Sequence, residues 1–146
     1  GASSTTTSTS TSTSSSTGVT GQTFTSDNNG DHWTGAAGND TFYVGRGGDV
    51  LTGAGGNDTF VFHETPWGGA HITDFSSGDA LDLSGMLAID GYKSGDAVAQ
   101  GYLAVTSDSA GEAQVWSHLN GQWWLAATLD HEPASSLHIS GAFITG

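Results

Sequence analysis

Between Gly35 and Val61 the chain repeats one nine-residue phrase three times without insertion, as GAAGNDTFY, VGRGGDVLT and GAGGNDTFV. In that frame Gly38, Gly47 and Gly56 hold the fourth place, Asp40, Asp49 and Asp58 the sixth, and Phe42, Leu51 and Phe60 the eighth. One copy is too short to bury its own apolar residue, so a fixed short period asks for stacked turns that share one core. Running the frame backwards puts Asp31 and Trp33 on the same two ladders and Phe24 on the apolar one. Residues 26–34 therefore read as a degenerate extra coil and residues 17–25 as a cap.

Each part of the phrase has a physical reason. Glycine reaches positive φ at no steric cost and leaves carbonyl oxygens exposed around a tight loop. Asn29 stands at the fourth place of the degenerate coil, and Asn tolerates the left-handed region better than most residues. The three residues after each Asp form a short strand with one inward side chain, the bulky residue at the eighth place. Stacking then buries Phe24, Trp33, Phe42, Leu51 and Phe60 in a thin core.

The phrase matches the G-G-x-G-x-D-x-U-x nonapeptide of a parallel β-helix that binds Ca²⁺. A hard cation of that kind takes six to eight oxygens at about 2.3–2.6 Å and accepts carbonyls as readily as carboxylates. The expected donors are the carboxylates of Asp31, Asp40, Asp49 and Asp58 with the loop positions Gly35, Ala37, Gly45, Gly47, Gly53 and Gly55. If two nonapeptides complete one turn, Asp40 lies over Asp58 and Asp31 over Asp49. One ion between each pair would neutralise carboxylates that otherwise repel.

Composition narrows the partners. The net charge is −13, and Arg46 and Lys93 are the only strong cations, which argues against nucleic acid or anionic membrane surfaces as partners. With no cysteine, disulfides cannot hold a glycine-rich, thin-cored fold together, and metal binding is the remaining staple. No apolar run is long enough to span a bilayer, so no membrane insertion is expected. Residues 1–17 are almost wholly Ser and Thr after the first two positions, the composition of a flexible linker, and a linker implies an upstream domain of the same polypeptide.

After Val61 the frame fails, with Thr65 and Trp67 where Gly and Asp should fall and Pro66 between them, so the repeat is expected to stop there. Residues 62–146 read as all-β, with short runs at Ala70–Phe75, Ala80–Leu83 and Gly101–Thr106. Asn120-Gly121 predicts a type I′ turn joining Ala113–Leu119 to Gln122–Leu129. On that register Gln114, Trp116 and His118 share a face with Trp123, Leu125 and Ala127, and Val115, Leu119, Trp124 and Ala126 share the other. Ile72, Phe75, Leu81 and Leu83 are expected to seal the last coil in a β-sandwich-like cap, giving one domain over residues 18–146.

The stretch His71-Ile-Thr-Asp-Phe-Ser-Ser-Gly-Asp-Ala-Leu-Asp-Leu-Ser84 following such repeats resembles the C-terminal region of RTX proteins, as in serralysin-type proteases and type I secretion target domains. The resemblance implies a parallel β-roll over residues 18–61, a calcium at the junction with help from Asp74, and export through type I secretion machinery. Asp79 and Asp82 read instead as residues that shape the turn and the start of the strand. Val44 departs from the pattern by replacing the first glycine of the middle copy. The ending Ser136–Gly146 is apolar enough to close a C-terminal secretion signal. The implied product is a secreted, extracellular accessory module that folds on Ca²⁺ outside the cell.

A second function class is glycan binding, with Trp123 and Trp124 as candidate stacking residues for a polysaccharide. A neutral polymer suits the acidic chain better than an anionic one. Catalysis by this chain is not expected. His32, His63, His71, His118, His131 and His138 show neither metal-protease nor triad spacing and read as surface histidines.

Overall fold

The computed structural model describes residues 21–26, 30–64 and 69–146. The Ser/Thr tract, Asn29 and the Thr65-Pro66-Trp67 segment lie outside the described residues. The fold is all-β, with two six-stranded sheets and one short helix.

Successive strands alternate between the sheets. β1 (Thr23–Thr25), β3 (Thr41–Val44), β5 (Thr59–Phe62) and β7 (Ala80–Asp82) lie side by side in the first sheet. β2 (His32–Thr34), β4 (Val50–Thr52) and β6 (Ala70–Ile72) do so in the second. All these neighbours are parallel, with Phe24 beside Phe42, Phe42 beside Phe60, and Trp33 beside Leu51. One turn of chain thus spans two nonapeptides, and the apolar eighth place points inward from both sheets.

The winding continues past the repeats. Phe60 pairs with Leu81 and Leu51 with Ile72, both in parallel, so the expected stop after Val61 is corrected to one further turn. The step along the aspartate column lengthens from 18 residues to 21 in that turn. The insertion falsified the nine-residue frame without breaking the coil, because pairing is set by which side chains face inward and not by the length of the loop between them.

Inside, Phe24, Phe42 and Phe60 stack with ring centroids 4.8 Å apart at each step, close to the spacing of neighbouring strands. Trp33 lies 5.3 Å from Phe24, and its Nε1–H donates to Ser26 Oγ at 2.9 Å. Ile72, Phe75, Leu81 and Leu83, expected as core residues, are all buried.

Beyond β7 the chain forms a helix that the strand-only reading of residues 62–146 did not anticipate. α1 (Ser84–Asp90) buries Met86 and Leu87, and Gly91 ends it at φ 108° with its N–H donating to Ala88 O. A Cβ on Gly85 would meet His63 Cα at 2.9 Å, so glycine lets the helix lie against the end of β5. Asp82, expected to shape the start of a strand, instead ends β7 and leads into this helix, accepting from Ser84 N–H at 3.0 Å and Ser84 Oγ–H at 2.6 Å.

β8 (Leu103–Ser107), β9 (Ala113–Leu119) and β10 (Gln122–Leu129) extend the second sheet in antiparallel order, with β10 docked in parallel on β6. Asn120 and Gly121 have φ of 55° and 79°, the positive pair a type I′ turn requires. The predicted faces hold up to Leu125. A bulge there leaves Ala126 unpaired and sets Ala127 opposite Val115, so Ala127 belongs to the inner face, not with Trp123. Finally β11 (His138–Ser140) and β12 (Phe143–Thr145) form a hairpin, and β12 pairs antiparallel with β7. Ile144 is fully buried there, so the C-terminal segment closes the first sheet.

Candidate functional site

The sixth-place aspartates form two columns. Asp31 and Asp49 occupy one, and Asp40, Asp58 and Asp79 the other, all at most 3 % exposed. Within a column each carboxylate reaches the main chain of the turn before it. Asp31 N–H donates to Asp49 Oδ1 at 2.7 Å, Asp40 N–H to Asp58 Oδ1 at 2.8 Å, and Asp58 N–H to Asp79 Oδ1 at 2.8 Å. The aspartate is thus an inter-coil rung as well as a negative charge. Asp79 belongs to the column and does more than shape a turn. Its Asp-x-Leu spacing repeats that of Asp40 and Phe42, which is the signal the broken frame hid.

The second oxygen closes the loop of the same repeat. Ala36 N–H donates to Asp40 Oδ2 and Gly45 N–H to Asp49 Oδ2, each at 2.9 Å. This explains the first-place glycines. A Cβ on Gly35 would collide with the Asp40 carboxylate, and one on Gly53 with that of Asp58. Val44 fills the first place of the middle copy as the buried end of β3.

The third loop breaks the rule. Gly53 N–H and Ala54 N–H donate to Asp74 Oδ1 and Oδ2 at 2.8 and 2.7 Å, and Ala54 takes φ 68° to do so. Asp58 Oδ2, deprived of its loop donor, is buried without a hydrogen-bond partner. Burial pushes the Asp58 carboxyl up to about 7 from an ordinary 3.8, and the charges of Asp79, Asp40 and Asp74 add to it against the Asp40 N–H. Burial also raises Asp79.

Carbonyls gather at the same loops. Ala37 O would stand 2.7 Å from a Cβ on Gly56, and Gly38 O also crowds that position. Gly47 O approaches Gly30, where glycine sits at φ 79°. Gly55 packs on Ala37. Asn39 Oδ1 accepts from Asn57 N–H at 2.7 Å, a fifth-place rung that the reading of the motif missed. Among the described residues no three His, Asp or Glu side chains are placed to hold a metal ion together. An ion here would take one or two carboxylates and complete its shell with main-chain carbonyls. An all-oxygen set containing an orphaned buried carboxylate oxygen fits a hard cation.

The other candidates fall elsewhere. Trp123 is 46 % exposed, whereas Trp124 turns to the other face and donates from Nε1 to Leu119 O at 3.3 Å. His32, His63, His131 and His138 are exposed. His71 Nδ1 lies 3.1 Å from Asp130 Oδ1, where β6 meets β10. Among the described residues no helix is long and apolar enough to cross a membrane. Comparison of the chain with protein-family models and with curated proteins returns no match.

Proposed function

We propose that the chain is a calcium-binding accessory module of the RTX type, a parallel β-roll that folds on Ca²⁺ outside the cell as part of a larger secreted protein. The observation that carries this reading is the stack of buried aspartates in which Asp58 Oδ2 has no donor, while Asp40, Asp74 and Asp79 surround it with negative charge. A buried carboxylate left without a partner is strongly destabilising. A divalent cation at Asp58, with Asp40 and the loop carbonyls, would remove that penalty. When bound, the ion supplies charge neutralisation and a cross-link between turns. The chain's own residues supply rungs, loops and apolar stack.

The same electrostatics supports export by type I machinery. At low calcium the acidic columns oppose stacking and keep the chain threadable. At extracellular calcium, where modules of this kind bind with Kd of roughly 10⁻⁴–10⁻³ M, binding drives folding. The Ser136–Gly146 segment ends in a strand of the first sheet, so a transporter would read it before the coil closes.

The test is a calcium titration of the metal-free chain followed by far-UV circular dichroism and Trp fluorescence. A cooperative gain of β structure in the sub-millimolar to millimolar range, lost in Asp40→Ala/Asp58→Ala, is expected. A metal-free chain that is fully folded and indifferent to calcium would sink the reading.

A further inference from the structure

The outer face of β8–β10 differs from the rest of this acidic protein. None of the residues in these three strands is Asp, Glu, Lys or Arg, in a chain of net charge −13. That face carries two indoles on neighbouring strands. Trp123 lies opposite His118 and Trp116 opposite Leu125, which makes the two tryptophans diagonal neighbours, roughly 7–8 Å apart by sheet geometry. The Trp123 and His118 rings pack together with centroids 4.8 Å apart and planes at 44°. Trp116 Nε1–H donates to Thr106 Oγ1 at 2.8 Å, which ties that indole to β8. Gln114 lies two residues before Trp116 on the same face and brings an amide.

We infer that this face is a binding platform for an uncharged polysaccharide, with Trp123 and Trp116 as stacking residues and Gln114 and Thr106 as hydroxyl partners. An aromatic ring offers an apolar body with a negative face, which suits the C–H face of a pyranose, and flanking amides and hydroxyls fix its orientation. The charge distribution selects the occupant. An anionic polymer meets the repulsion of the whole chain, and a basic peptide finds no carboxylate on these strands. Trp124 has no part in the platform, since it faces the opposite side. The chemistry of the platform is separate from the calcium reading, because it sits on the antiparallel strands and uses none of the aspartates.

The experiment uses the full chain in millimolar calcium, with its fold checked by circular dichroism. Cellohexaose, xylohexaose and laminarihexaose are the neutral probes, alginate the anionic one, and binding is followed by Trp fluorescence and calorimetry. At least one neutral hexaose is expected to bind with little dependence on salt, alginate not to bind, and Trp123→Ala or Trp116→Ala to weaken binding about tenfold or more with the fold intact. Should Trp116→Ala disturb the sheet, Trp123→Ala decides alone, as its ring is half exposed. Failure of all three hexaoses, unchanged affinity in both variants, or a Trp123→Ala effect confined to a dimer-to-monomer change in sedimentation would overturn the platform.

Discussion

The coil half and the cap half of this molecule bury different things. From Phe24 to Asp79 the interior is a phenylalanine stack with aliphatic partners such as Leu51 and Ile72, flanked by five aspartates at most 3 % exposed. From Leu81 onward it is Leu, Ile, Met, Val and Ala, with Ser117 and Thr128 the only buried polar residues among those described. Apolar burial is self-sufficient in water, whereas a column of carboxylates is stable only if each oxygen finds a donor or a cation. The lesson is that one continuous core can carry two kinds of stability, one indifferent to ions and one hostage to them.

Phe60 is where the two halves meet, stacked on Phe42 at 4.8 Å on one side and paired with Leu81 on the other. Phe60→Ala should therefore have the largest effect, a loss of about 3–5 kcal/mol in urea denaturation with calcium present. Far-UV dichroism and the fluorescence of the hairpin tryptophans should report one common transition. Two separated transitions would divide the molecule into independent units and break the comparison at its root.

Next in size is Asp58→Asn. The substitution keeps an oxygen for the Asp40 N–H and removes the uncompensated charge, so the metal-free chain should gain about 1–3 kcal/mol. Calcium should then stabilise the variant less than it stabilises the parent chain. The parent chain should also show a pH dependence of a definite sign. Its Asp58 carboxyl releases its proton near 7 when folded and near 3.8 when unfolded, so protons bind the folded form more tightly. This contribution is fully present below about 4 and is lost as pH rises through 7. Under saturating calcium the ion replaces the proton and the slope should flatten. A metal-free midpoint that rises between pH 5 and 8 would remove Asp58 as the seat of the effect.

The two halves were also unequally legible in the sequence. Period, inward ladder and the two aspartate columns follow from nine-residue spacing because identical turns stack identically. What the spacing could not show is that Asp40, Asp49 and Asp58 reach the main chain of the preceding turn, since a motif gives residue types and not where their oxygens point. The extra turn through β6 and β7 was hidden by an insertion, and Asp79 with it. In the cap, Asn120-Gly121 and the strands beside it were readable from local turn chemistry. The bulge at Ala126 and the short α1 were not, because a seven-residue helix shows too little periodicity and a bulge answers to packing against β6.

Smaller still is the effect of Gly121→Ala. At φ 79°, with open space where a Cβ would stand, the added methyl costs only backbone strain, about 1 kcal/mol. The loss should be the same at the lowest calcium that folds the chain and at saturating calcium. A calcium-dependent loss would mean that the cap half leans on the ion sites after all.

The smallest predicted effect sharpens the comparison most. Asp90, at the end of α1, has both carboxylate oxygens buried without a hydrogen-bond partner, the cap half's counterpart of Asp58. Burial pushes its carboxyl up to about 6 from 3.8, and here burial is the whole cause, with no neighbouring carboxylates to help draw in a cation. Its contribution to stability is accordingly present below about 4 and lost as pH rises through 6. Asp90→Asn should therefore raise the melting temperature slightly at pH 8, leave it nearly unchanged at pH 4, and do so equally at the lowest calcium that folds the chain and at saturating calcium. The residue as a whole is only part-buried, so solvent screening keeps the gain modest. The same orphaned carboxylate would then answer to calcium where acids are stacked and to protons alone where they are not. A gain at pH 8 that vanished on adding calcium would place a cation at Asp90 as well and erase the distinction between the halves.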